Sequence, residues 1–165
     1  MLSDVAAHAD AAFSASVDSR VKTLQSIKEK LLRKKYLNPL GEIEEVCGFR
    51  IVCYYASNMD GIENHIKHEF NVIKVSDKRD EAEEDKFAYF SRDCIVTLKP
   101  NWLDMPLFRD YDGLKVEEQL RTILMHVLAA ISHKLLYKRE NDAPNVLKRK
   151  LNRLSALIEL ADEQF

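Results

Sequence analysis

LKVEEQLRTILMHVLAAISHKLLYK, residues 114–138, is the stretch on which the reading of the whole chain turns. Residues 114–120 are short and strand-compatible. Side chains on a strand alternate between faces, so Lys115, Glu117 and Gln119 point one way and Val116, Glu118 and Leu120 the other. Arg121 and Thr122 then open a helix whose apolar positions Leu124, Val127, Leu128, Ile131 and Leu135 fall at helical spacing. A carboxylate and an amide side by side on a strand, followed by Arg-Thr, suit a metal-assisted site. They suit a solvated sheet face equally, and the residues alone leave both open.

Outward from this stretch, composition sets bounds. A chain of 165 residues with 46% hydrophobic and 32% charged residues fits one ordinary domain with a core and a water-facing surface. The formal net charge of -2 gives no global pull toward nucleic acid or an anionic membrane. Charge is instead local. Residues 20–35 hold seven bases and one acid, and residues 77–86 hold six acids and three bases. Cys47, Cys53 and Cys94 lie in apolar stretches; their odd count and spacing argue against a disulfide framework or a zinc site and predict buried thiols in a reducing cytoplasm. No apolar run reaches the ~18 residues of a membrane span. The first residues lack the basic and apolar regions of a secretory signal.

Along the chain, residues 4–16 read as an Ala-rich helix, with residues 1–19 as a helical extension interrupted at 14–19 by Ser and Asp. In RVKTLQSIKEKLLRKK, residues 20–35, Val21, Leu24, Ile27 and Leu31 form an apolar stripe. Lys22, Ser26 and Lys30 recur every four residues and so stack on another helix face. Asn38-Pro39-Leu40-Gly41 is a turn, and residues 42–47 a short acidic helix. The continuous apolarity of FRIVCYY, residues 49–55, predicts a central strand covered on both faces. A helix over 59–70, strands over 71–75 and 87–98, a charged loop over 76–86 and a long loop over 99–113 follow. The last helix, residues 145–165, carries Leu147, Leu151, Leu154, Ile158 and Ala161 as a seam for intramolecular packing or for self-association. The order of elements predicts one α/β (mixed α+β) domain over 1–165, a mixed β-sheet flanked by helices.

Four segments in this order, RVKTLQSIKEKLLRKK, IEEVCGFRIVCYY, FAYFSRDCIV and VEEQLRT with ISHKLLYK, resemble the successive motifs of the RelA/SpoT nucleotidyltransferase family, the alarmone (p)ppGpp synthetases and their small and toxin relatives. The closing PNVLKRKLNRLSALIELADEQF is similar to the last helix of many small members, so the resemblance runs from about residue 20 to residue 165. It implies a nucleotidyltransferase-like fold and transfer of pyrophosphate from ATP to a ribose 3′-hydroxyl. No hydrolase domain with its His-Asp metal motif is read, so synthesis without alarmone breakdown is expected.

By that resemblance Arg20, Lys22, Ser26 and Lys30 bind the ATP triphosphate, which needs cations and donors in a fixed array. Glu117 stands at the catalytic glutamate. Glu45 stands where the family has Asp, and the two acids would hold Mg²⁺. A glutamate at 45 carries its carboxylate roughly 1.3 Å farther out than Asp does. Tyr89 and Ser91 match the acceptor motif Gly-Tyr-x-Ser-x-His, in which Tyr stacks on the acceptor purine; Ala88 replaces its Gly and Asp93 its His. An anion at 93 near phosphates needs a partner, for which Arg92 or a Lys is the candidate. Gln119 and Arg121 would sit beside the acceptor. His133, Tyr137 and Lys138 would line or buttress its pocket. Glu118, aimed at the core where the family is apolar, needs a wet face or a paired base. Leu128 stands where relatives often carry Trp, and residues 76–86 lack the Lys-x-Asn-Gly-Tyr form of the larger synthetases.

Three functions therefore stand. The first is a pyrophosphokinase acting on GTP or GDP in the cytoplasm. The second is a toxin-like enzyme modifying the tRNA 3′ end, held through Lys148, Arg149, Lys150 and Arg153. The third is an inactive nucleotide-binding or protein-interaction module.

Overall fold

The computed structural model describes residues 14–33, 36, 42–44, 46–77, 91–136 and 144–165. Its frame is one five-stranded sheet. Strands β1 (Ser14–Val21), β2 (Cys47–Cys53), β3 (Phe70–Asp77), β4 (Arg92–Leu98) and β5 (Val116–Thr122) lie in the order β1-β2-β5-β4-β3. β2 and β5 are parallel, and the other neighbours are antiparallel. This is the mixed sheet expected from the element order, with helices α1 (Leu24–Arg33), α2 (Met59–Glu69), α4 (Ile123–Leu136) and α5 (Asn145–Asp162), and α3 (Pro100–Leu103) as a single turn in the long loop before β5.

One face of the sheet carries the main core. Phe49, Ile51 and Cys53 of β2, Leu120 of β5 and Cys94 and Val96 of β4 pack with Met59, Ile62 and Ile66 of α2 and with Phe70. α2 holds because Met59, Ile62 and Ile66 recur on one side while Lys67 and His68 sit in its last turn, where a cation complements the helix dipole. The opposite face takes α4, packed on β2 and β5, and α5 packs on α4. The seam of α5 is half-buried, with Ser155 and Asp162 buried along it. No helix among the described residues is long and apolar enough to cross a membrane.

Five expectations change. Ser14–Val21 is an edge strand paired antiparallel with β2, not part of a helical extension; residues 1–13 lie outside the described residues. Ser, Ala and Asp are weak strand formers, but pairing with an interior strand overrides propensity. Residues 43 and 44 carry no regular structure and Cys47 already belongs to β2, so the acidic helix over 42–47 is absent there. Arg121 and Thr122 end β5 rather than open α4. Thr122 then caps α4, its Oγ1 accepting the Met125 N–H at 3.1 Å while donating to Asp162 Oδ2 at 2.7 Å. That start sets the phase of α4. Met125, Leu128, Ala129 and Ser132 are buried, while Val127, Ile131 and Leu135 of the expected stripe are exposed. α1 is capped by Thr23, whose Oγ1 accepts the Ser26 N–H at 3.3 Å. Val21 and Leu24 of its expected apolar stripe are also exposed.

All three cysteines are free thiols, with Cys53 and Cys94 buried as expected. The loop expected over 99–113 contains α3, a further helical turn at Arg109–Tyr111, and Gly113 at φ 70°, a left-handed conformation that favours glycine.

Candidate active site

Strand pairing assembles the site. Arg20 of β1 is opposite Gly48 of β2, which is opposite Glu117 of β5. One pleat along, Asp18 is opposite Arg50, Arg50 opposite Gln119, and Gln119 opposite Asp93 of β4. Directly opposed residues share a face, so these two rows lay Arg20, Asp18, Arg50, Glu117 and Gln119 on the side of the sheet away from the α2 core. They line a cleft of about 610 Å³ with Lys22, Ser19, Gly48 and Phe49.

The centre of the first row is empty of side chain because Gly48 is there. Strands lie about 4.8 Å apart, so the backbones carrying Arg20 and Glu117 flank a gap of roughly 10 Å floored by glycine. A Cβ on residue 48 would lie 2.9 Å from the Glu117 carbonyl oxygen, so only glycine lets β2 and β5 approach this closely. Cations therefore stand on one wall and a carboxylate on the other, with open backbone between.

The second row is held by hydrogen bonds. Arg50 donates to Gln119 Oε1 from Nε at 3.3 Å and from Nη2 at 3.1 Å, and Arg121 Nη2 donates to the same oxygen at 3.4 Å. Arg121 is buried, and its backbone carbonyl accepts the Cys53 thiol at 3.4 Å. His126 of α4 faces this cluster. Its burial, with the charges of Arg50 and Arg121, presses its imidazole below the ordinary range, while Asp18 opposes that.

Of the expected donor residues, Arg20 and Lys22 line the cleft, but from β1 and the link that follows it rather than from one helix face. Ser26 and Lys30 stand on α1 and are not among the cleft-lining residues. Glu117 and Gln119 line the cleft. Arg121 touches it through Gln119. Ser91 is buried just before β4, and His133 is exposed on α4. Glu45, Tyr89, Tyr137 and Lys138 lie outside the described residues. Asp18 and Arg50 are the cleft residues that sequence reading missed. The signal for the first is the alternation Asp18, Arg20, Lys22 once β1 is a strand; for the second it is the lone cation in an apolar strand.

The back of β5 corrects two further expectations. Arg92 does not pair Asp93. It turns to the other face, donating to Asp60 and, at 3.0 Å, to Glu63, and lies 3.7 Å from Asp77. Glu118 is not wet, and among the described residues no base pairs it. It is 2% exposed, Oε2 accepts the Cys94 thiol at 3.1 Å, and Oε1 has no hydrogen-bond partner. Burial, reinforced by Asp93 and Glu63, pushes its carboxyl up to about 8, so the group resolves its isolation by staying protonated at neutral pH.

No group of three or more His, Cys, Asp or Glu among the described residues is arranged to hold a metal ion on its own. Mg²⁺ needs less, because it is commonly held by one or two carboxylates together with substrate phosphates. Glu117, facing the cations across the glycine floor, fits that use.

Comparison with known proteins agrees with the geometry. Residues 19–142 match the family model described as a region found in RelA / SpoT proteins. The chain is 32% identical over 161 residues to GTP pyrophosphokinase YwaC of Bacillus subtilis, a match spanning 88% of this chain and 69% of that protein. The fold is similar to small alarmone synthetase 2 of B. subtilis, with TM-score 0.79 and 27% identity over 98% of this chain and 84% of that one. It is also similar to small alarmone synthetase 1 of B. subtilis. Bound to its product pppGpp, that protein gives TM-score 0.73 and 28% identity over 92% of this chain and 76% of that one. Bound to AMPCPP, it gives TM-score 0.68 and 27% identity over 92% and 74%.

Proposed function

The chain belongs to the RelA/SpoT family, and from that premise we propose that it is a pyrophosphokinase that transfers pyrophosphate from ATP to the 3′-hydroxyl of GDP or GTP. The observation that carries the reading is the row Arg20, Gly48, Glu117, with cations and carboxylate facing each other across a bare strand. Relatives that bind pppGpp and AMPCPP support nucleotides on both sides of the reaction.

In the reaction the acceptor 3′-oxygen bonds to the β-phosphorus of ATP. The bridge between α and β phosphates breaks, AMP leaves, and the hydroxyl proton passes to a base. Such transfer is mostly positioning and charge neutralisation. Arg20 and Lys22 hold the triphosphate against the glycine floor. Glu117 is the carboxylate on the acceptor side, placed to draw the 3′-hydroxyl proton. With Glu45, which the family match makes the second acid, Glu117 would hold Mg²⁺, and the ion when bound neutralises charge on the transferring group. Ser26 and Lys30 extend the donor site from α1. By the family match Tyr89, Ser91, Gln119, Arg121, His133 and Lys138 would serve the acceptor; of these Gln119 lines the cleft and Arg121 reaches it through Gln119.

The test is incubation with labelled ATP, Mg²⁺ and GDP, GTP or tRNA in turn. Label moving to GDP or GTP with AMP released is the expected result. Label moving only to tRNA would replace the acceptor assignment. ATP binding with no transfer to any acceptor would make the chain a silent nucleotide-binding relative.

A further inference from the structure

Arg50 lines the cleft and also bonds across the strand pair to Gln119. We propose that it is a positioning residue which, with Arg121, locks the side-chain amide of Gln119 so that the cleft meets its N–H donors and never its oxygen.

A guanidinium has donors and no acceptor. Three guanidinium N–H groups converge on one amide, two from Arg50 and one from Arg121. The amide must therefore turn its oxygen toward them, and Nε2 faces the other way. Arg50 is directly opposite Gln119 on the neighbouring strand, which is the register that allows a double contact from one side chain. Gln119 and Glu117 share a face of β5 two residues apart. The acceptor side of the cleft thus presents a carboxylate for a hydroxyl proton and, beside it, a pure donor. A group bound at Gln119 must be a hydrogen-bond acceptor, meaning an oxygen or ring nitrogen of the incoming nucleotide.

This role in transfer rests on the pyrophosphokinase reading; the orientation of the amide does not. Two measurements keep them apart. The first is the side-chain ¹⁵N–¹H₂ resonance pair of Gln119 in the nucleotide-free protein. Arg50→Ala should shift and sharpen it toward a freely rotating amide, and an unmoved pair would overturn the proposal whatever the activity. The second is a double-mutant cycle on acceptor KM with GDP. Losing one hydrogen bond costs on the order of tenfold, so Arg50→Ala and Gln119→Ala should each raise KM by about that factor. The double variant should be no worse than either, because both remove the same contact. Multiplying effects would show Arg50 acting on substrate directly and overturn the proposal. Gln119→Glu keeps both guanidinium contacts and the fold but has no N–H to offer. It should match Gln119→Ala in KM with an undiminished Tm, and parental KM in that variant would also overturn the proposal. A parent that transfers to nothing would end the functional reading and leave the resonance test standing.

Discussion

Replacing Glu118 by glutamine should make the protein more stable, and more so as pH rises. The parent side chain is 2% exposed beside Ile66, Val72, Val75 and Leu120, and among the described residues its only hydrogen bond comes from the Cys94 thiol. Its carboxyl titrates near 8 in the folded chain against an ordinary 4.5. The folded state therefore keeps a proton that the unfolded chain gives up from about pH 4.5, so stability falls as pH rises between those values. Integrating the difference gives a penalty of about 3 kcal/mol at pH 7 and about 5 kcal/mol at pH 9, and nearly none below pH 4.5. Glutamine has the same shape and no charge to desolvate. For a chain of this length the gain at pH 7 corresponds to a Tm increase of roughly 6–12 °C. Thermal unfolding followed by circular dichroism at pH 5, 7 and 9 reads it directly, because every other titrating group cancels between parent and variant. The two Tm curves should nearly meet at pH 5 and separate above it. Curves that run parallel across that range would refute the reasoning and mean that Glu118 is charged and satisfied where it stands.

Three other substitutions probe the frame and the cleft. Gly48→Ala puts a Cβ 2.9 Å from the Glu117 carbonyl oxygen, so β2 and β5 must part by about half an ångström; we expect a loss of about 1–3 kcal/mol in urea unfolding and at least a tenfold fall in transfer rate, and parental values of both would contradict the close approach. Glu117→Gln should leave Tm intact while lowering Mg²⁺-dependent transfer on the order of a hundredfold or more, and undiminished transfer would remove Glu117 from the chemistry. Thr122→Val deletes both the cap of α4 and the hydrogen bond to buried Asp162, which together are worth about 3 kcal/mol; a urea midpoint equal to the parent's would show that α4 and α5 are held by other means.

What the sequence disclosed and what it concealed divide along one physical line. β2 and α2 were legible because their apolar residues repeat with one clear period over a whole element. β1 was not, because SASVDSRV has little strand propensity of its own and is a strand by virtue of pairing with β2. α4 was legible as a helix but not in its rotation, since it is apolar on nearly every side and its phase is set by the Thr122 cap. The site followed the same division. Arg20, Lys22, Glu117 and Gln119 all line the cleft, yet Arg20 and Lys22 do so from β1 and the link after it rather than from the helix that carries Ser26 and Lys30. Asp18 and Arg50 were missed because what makes them cleft residues is the partner opposite each on the next strand.

The same register explains how the cleft tolerates its own charge. Arg20, Lys22, Arg50 and Arg121 stand in or against one hollow, and like charges this close repel before any nucleotide arrives. The strand rows interleave them with groups of the opposite character. Asp18 is opposite Arg50, Gln119 turns its oxygen to Arg50 and Arg121, and Glu117 stands across Gly48 from Arg20. Arg50 and Arg121 thus have an acceptor that keeps them aimed without occupying the glycine floor. On the proposed function, a triphosphate entering there would add negative charge where the row has only backbone, and binding would relieve repulsion that the fold otherwise balances with Asp18, Glu117 and Gln119. The charges on the other face stand apart from this balance. Glu118 loads the back of β5, and Arg92 spends its charge on Asp60, Glu63 and Asp77 of the far face. The two faces of one strand can drift separately because alternation keeps their side chains apart; on the cleft side the change is Asp93, an anion opposite Gln119.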